Sequence, residues 1–200
     1  MNKQFTIAGI VGLCATVFVF ACILVAIASW RQFSWTNNAL SDLGVQNGIT
    51  AIVFNSGLII GGILFAVFAT GLFGYFHNLA GKVGAAVFVL ACVMLIAIGT
   101  FNEHFSPIHY LVSVGLFTLM PISMLIFVVA FWVQRERVLG TFTLACSLVA
   151  AAVWVLELTV HYVPAVAIPE FVSGFAGAVW VTVLSWSMLK QISVTASQKT

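Results

Sequence analysis

The sequence predicts an all-α integral membrane protein, a six-transmembrane-helix bundle with both termini cytoplasmic. Three observations carry that prediction. Of 200 residues, 62% are hydrophobic and 6% are charged, whereas a soluble domain carries about 25% charged residues over its surface. Apolar runs of about 20 residues, the length that crosses a hydrocarbon core of roughly 30 Å, recur along the whole chain and leave no room for a soluble domain. These runs also lack the period-two alternation of a transmembrane β-barrel. The composition excludes other classes as well. Eighteen Phe, six Trp and three Tyr make a chain too apolar to stay disordered. A net charge of +2 offers no basic stripe for nucleic acid. Residues 1–200 read as a single transmembrane domain of a multi-pass cell-membrane protein, with membrane lipids as its partners.

The first span runs from about Ile7 to Trp30 without a charge. It exceeds the apolar core of a signal peptide, about 7–15 residues, so a retained helix is expected. The longest connector, Arg31 to Thr50, follows. The second span, from about Ala51 to Phe76, carries Gly57 and Gly61 as G-x-x-x-G. The third runs from about Val83 to Phe101. The fourth runs from about Ile108 to Val133, with Pro121 in its middle, where a missing backbone donor predicts a kink. The fifth covers about Val138 to Val160. The sixth covers about Ile168 to Leu189 and pairs Ser173 with Gly177. Small residues four apart let helices approach closely. They are read as packing within the bundle, with homo-oligomerisation through the same faces as the alternative. Cys14, Cys22, Cys92 and Cys146 lie inside spans, where thiols act as small apolar fillers.

Basic residues orient the spans. Lys3, Lys82, Arg135, Arg137, Lys190 and Lys199 fall on the side of the termini, and Arg31 alone falls on the other. That places the termini in the cytoplasm. Asp42, Glu103, Glu157 and Glu170 then lie on or near the outer side, with His104, His109 and His161, while Glu136 and His77 lie inside. Trp30 and Trp35 fit an outer aromatic belt, and Trp132 and Trp186 an inner one. Two outer helix starts stand out. Ser106-Pro107 reads as N-cap then N1, with His109 near N3, and Pro169-Glu170 as N1 and N2. Their free N–H groups suit an anionic group such as a phosphate.

Ionisable groups at membrane depth are costly and point to function. Glu157 sits in an apolar run, with His161 four residues on and so on the same helix face. Asn55 and Ser56 enter the second span from the same side, Ser41-Asp42 precede it, and Asn102-Glu103-His104 close the third. Three chemistries fit this set. His109, His161 and Glu157 have the ligand types of a divalent metal such as zinc. Asp42, His109 and Glu157 could serve acid–base catalysis or proton relay. Alternatively, the groups hydrogen-bond one another and tie loops to helix ends. Ser41 beside Asp42 lacks the elbow that marks a nucleophilic serine.

The segments Phe33-Ser34-Trp35, Asn38-Ala39-Leu40-Ser41-Asp42-Leu43-Gly44 and Phe54-Asn55-Ser56-Gly57-Leu58, with Gly99-x-Phe101-x-Glu103, Pro107-x-His109 and Ile168-Pro169-Glu170, resemble the signature of the Domain of Unknown Function 998 (DUF998) membrane proteins. The resemblance spans nearly the whole chain. It implies a six-helix membrane protein of archaea and bacteria, distantly similar to eukaryotic six-helix proteins implicated in lipid-anchor remodelling and autophagy. It implies no reaction. It marks Ser41, Asp42, Asn55, Glu103, His109 and Glu170, whereas Glu157 and His161 rest on the physical argument alone.

Two functions are therefore expected to compete. In one, an outer cavity binds a lipid or amphiphile and modifies it as a hydrolase or transferase. Asp42, His109 and Glu157 would then be catalytic, and Ser41, Asn55, Glu103 and Glu170 would bind. In the other, the protein is a non-enzymatic lipid-binding, transport or scaffold protein. Thr70, Ser123 and Ser147 are the few polar groups at mid-span, and no broken-helix pair repeats, which argues against a secondary transporter. A closed cavity beside the lipid favours the first reading, and a splayed solvent-facing rim favours the structural one.

Overall fold

The computed structural model describes residues 3–197, with side chains over 4–190. Lys199 and the side chain of Lys3, both counted in orienting the chain, lie outside the described residues. The described chain is helical throughout: α1 (Lys3–Ser29), α2 (Ile49–Tyr75), α3 (Leu79–Thr100), α4 (Ile108–Val133), α5 (Arg137–Val160) and α6 (Ala167–Ser197), with short 3-10 turns at Ser41–Val45 and Glu103–Phe105. All six helices contain stretches long and apolar enough to cross a membrane. Several begin or end a few residues beyond the apolar run that announced them. Apolarity measures depth in lipid, whereas helical hydrogen bonding continues into the interface as long as nothing better satisfies the backbone.

Each helix packs against its neighbours in the chain, and α6 closes the ring against α1. Successive helices are antiparallel: four connections are short, and across the long one Gly57 meets Cys22, Gly61 meets Val19 and Gly71 meets Ala8. The α1–α2, α3–α4 and α5–α6 connections therefore share one end of the bundle, here the rim. The two remaining connections share the opposite end, the base. At the base, Asn78 caps α3 by accepting the Gly81 N–H at 2.8 Å. There too the Tyr75 hydroxyl donates to Glu136 at 2.7 Å.

The small-residue faces are used inside the chain. A Cβ at Gly57 would stand 2.5 Å from the Cβ of Cys22, and one at Gly61 would collide with Val19. The G-x-x-x-G pair thus seats α2 on α1. Gly177 similarly faces Met120 of α4, and Ser173 is buried. Gly57, Gly61 and Gly177 thus each face a side chain of a neighbouring helix of the same chain. The four cysteines are free thiols.

Toward the base the core is dense. Phe68, Phe76, Phe127, Phe131 and Trp180 are all but fully buried. Two of the buried polar side chains there bond across helices, whereas the Thr6 and Ser185 hydroxyls have no hydrogen-bond partner. Trp180 Nε1 donates to Thr143 Oγ1 at 3.1 Å, and Ser147 Oγ donates to the Pro121 carbonyl at 3.0 Å.

Candidate functional site

At the rim, the connector that is longest in sequence folds inward as a plug. Asp42 organises it. One carboxylate oxygen accepts the Ala39 N–H at 3.0 Å and the Asn38 side-chain amide at 2.8 Å, fixing the turn that begins at Ser41. Leu40 and Leu43 are thereby turned into the bundle and buried. Gly44 follows because nothing larger fits: a Cβ there would lie 2.6 Å from Asn55 Oδ1. Its carbonyl accepts the side-chain amides of Asn55 at 2.8 Å and Asn102 at 3.3 Å, joining the plug to α2 and to the α3–α4 connection. The α5–α6 connection is bound in as well, since the Ala165 and Ala167 N–H groups donate to the Thr36 and Asn38 carbonyls, each at 3.0 Å.

Beneath the plug lies a cavity of about 140 Å³. Residues of α1, α2, α3, α4 and α6 line it, and α5 contributes none. Its walls are nearly all apolar. Leu40, Ser41 and Glu170 form its rim end, and Phe88 and Val181 lie at its deep end. From Glu170 to Val181 it extends about 16 Å along α6, at 1.5 Å per residue. Such a cavity lined by hydrocarbon stays dry and takes apolar ligands. Its depth is close to one leaflet of a bilayer core of roughly 30 Å. Gly174 borders this space on its exposed side, and a Cβ built on it would meet nothing within 4 Å.

Glu170 is the ionisable group in the wall. It is 8% exposed, and its Oε2 accepts the Leu40 N–H at 2.5 Å. Among the described residues no other hydrogen bond reaches its carboxylate. Asp42 and Glu103 act on it through space. Beside it, aromatic rings form a chain: Phe33 against Trp35 at 5.3 Å, Trp35 against Phe171 at 5.1 Å, and Phe171 against Phe20 at 5.5 Å between centroids. Phe20 and Phe171 also line the cavity.

The family described as Protein of unknown function (DUF998) matches residues 13–187. The chain belongs to the DUF998 family. No curated protein and no solved structure matches it. The segments that carried the resemblance to DUF998 thus include the plug, the Asn55 amide that holds it, the α3–α4 connection from Gly99 to His109, and the start of α6.

All the marked residues lie at the rim, but they form three groups. Ser41 and Glu170 meet at the cavity. Asp42, Asn55 and Asn102 hold the plug, with Glu103 close enough to act on Glu170. His109 is buried and stands apart from the cavity, with Nδ1 donating to the Phe101 carbonyl at 2.7 Å, so it ties α4 to the end of α3. Glu157 belongs to a third group. It is 6% exposed, its Oε2 has no hydrogen-bond partner, and neither has Trp154 Nε1 one turn earlier. Burial, and then the Glu157 charge, raise the phenol of Tyr162 above its ordinary value. Among the described residues no group of three or more His, Cys, Asp or Glu side chains is gathered so as to hold a metal ion. His109, His161 and Glu157 are therefore not drawn into a three-ligand set.

Three local expectations are corrected. Ser106 does not cap α4. Its N–H bonds the Glu103 carbonyl, so it finishes the preceding 3-10 turn, and Pro107 takes the cap position. In α6 the first helical bond runs from the Glu170 N–H to the Val166 carbonyl at 3.0 Å, so Pro169 occupies the third helical position and not the first. Proline fits there because the N–H groups of the first turn have no helical partner to lose. His161 does not share a face with Glu157. It ends α5 in the left-handed region, at φ 50°, and its side chain is exposed while that of Glu157 is buried. Gly174 is a site residue that no motif marks. Its only signal in the sequence is a glycine inside a helix, which costs about 1 kcal/mol against alanine and calls for a reason.

Proposed function

We propose that this protein binds the apolar chain of a membrane amphiphile in the rim-half cavity, with the polar head of the ligand at Ser41 and Glu170. The observation that carries the reading is the cavity itself: an apolar space about one leaflet deep, capped at the rim by a hydrogen-bonded plug, open beside Gly174 and ending at a buried carboxyl group. The head would lie at the level where lipid head groups lie, with the rim on the extracytoplasmic face of the cell membrane, as the basic residues of the base side favour. A side chain at Gly174 would enter the open side of this space at no steric cost.

Binding is favoured over turnover. The three residues with catalytic chemistry, Asp42, His109 and Glu157, are absent from the cavity wall, and two of them already hold backbone groups. Native mass spectrometry of the purified protein tests the reading. A co-purifying amphiphile is expected on the wild type and none on Gly174→Leu, with thermal stability of the variant equal to the wild type or slightly higher. The mass of the retained molecule also reads turnover, since a hydrolase or transferase would return it cleaved or extended. Equal amphiphile content in the two proteins would count against the cavity as the site.

A further inference from the structure

The rim end of the cavity narrows the chemistry of the ligand further than the apolar walls do, an inference that rests on the amphiphile-binding reading. Glu170 is a carboxyl group more than nine-tenths buried, with one backbone N–H bonded to one of its oxygens. No Lys, Arg or His lines the cavity among the described residues. A buried carboxylate ordinarily meets a cationic partner, because desolvation without one is costly. Here the nearby charges make matters worse, since Asp42 and Glu103 add negative potential. A phosphate or carboxylate head at this point would meet three acidic groups, and the start of α6 already has Glu170 in its own first turn. A cationic head would meet their attraction. It would also meet Ser41 Oγ as a further acceptor and the ring of Phe171, whose face attracts cations.

We propose that the site selects a single-chain amphiphile with a protonated amine head. The ammonium sits between Glu170, Ser41 and Phe171, and the chain runs down past Gly174 toward Val181. The cavity volume of about 140 Å³ suits one chain, and the carboxyl group sets the head. No bond is made or broken in this proposal.

The test uses the full chain in a non-ionic detergent and three probes with the same chain length: dodecylamine, dodecanol and laurate. Affinity is read by native mass spectrometry and by calorimetric titration. Dodecylammonium is expected to bind about tenfold or more tightly than dodecanol, and laurate least. Glu170→Gln, which keeps an oxygen for the Leu40 N–H, is expected to bring the amine down to the level of the alcohol and leave the alcohol unchanged. Ser41→Ala leaves that backbone bond untouched and is expected to reduce the amine preference several-fold, so it serves if the Gln variant folds poorly. Equal affinity for amine and alcohol in the wild type, or a preference that survives Glu170→Gln, would overturn the assignment of the head group while the cavity stands. Failure of all three probes to bind would instead overturn the cavity reading on which it rests.

Discussion

The two halves of the bundle are built from similar residues to opposite effect. Toward the base, Phe76 meets Phe131 at 4.9 Å and Phe127 at 5.0 Å, and Phe127 meets Trp180 at 5.3 Å between ring centroids. Toward the rim, Phe54, Leu58 and Ile98 are just as apolar, yet they stand around a space of about 140 Å³. The base half fills itself with aromatic rings. In the rim half, the plug caps the space without filling it, and α6 borders it with the exposed Gly174. Packing in lipid relies on close contact, because lipid tails are as apolar as a leucine side chain. A void kept open under a well-tied plug therefore forgoes contact energy that the base half collects.

The contrast can be broken from the base side first. Trp180→Ala removes a fully buried indole and its bond to Thr143, and is expected to cost about 3–5 kcal/mol, read as a large fall in the thermal unfolding midpoint in detergent. Gly61→Leu forces a side chain into Val19 at the α1–α2 seam. An overpacking cost of about 1–3 kcal/mol is expected, by the same measurement. Asp42→Ala loosens the plug by removing the acceptor of the Ala39 N–H and of the Asn38 amide, at about 1–2 kcal/mol. Hydrogen exchange should accelerate at Leu40 and Leu43 and not at Leu72.

Gly174→Leu sharpens the contrast from the other direction. The same glycine-to-leucine change that disrupts the α1–α2 seam is expected to leave stability unchanged or raise it by up to about 1 kcal/mol, while abolishing ligand retention. The smallest effect belongs to His161→Gly. Glycine adopts the left-handed conformation without strain, so a gain of up to about 1 kcal/mol is expected, with amphiphile binding unchanged in the same assay.

The sequence made the membrane spans legible because lipid imposes one simple demand, about 20 apolar residues per crossing. It also brought most of the scarce acids and imidazoles to one end, all but Glu136 and His77, since chain order leaves little choice. It was less informative about what those groups do there. Asp42 and Asn55 read as site chemistry, and their bonds show them holding a turn and a glycine carbonyl. Glu157 and His161 read as one helical pair, but the left-handed residue at the end of α5 parts them. Spacing along a helix is a reliable guide only while the helix continues.

By itself, then, the chain determined its class, its six crossings and the end at which its polar residues collect, because each follows from local hydropathy and the order of segments. Only the tertiary structure decided that the long connector folds inward and that Glu170, but not Glu157, faces a cavity. It alone decided that one glycine of α6 packs against Met120 while another looks into open space. Those outcomes depend on which side chains meet across helices far apart in sequence. No period or motif along the chain encodes the volume left between them.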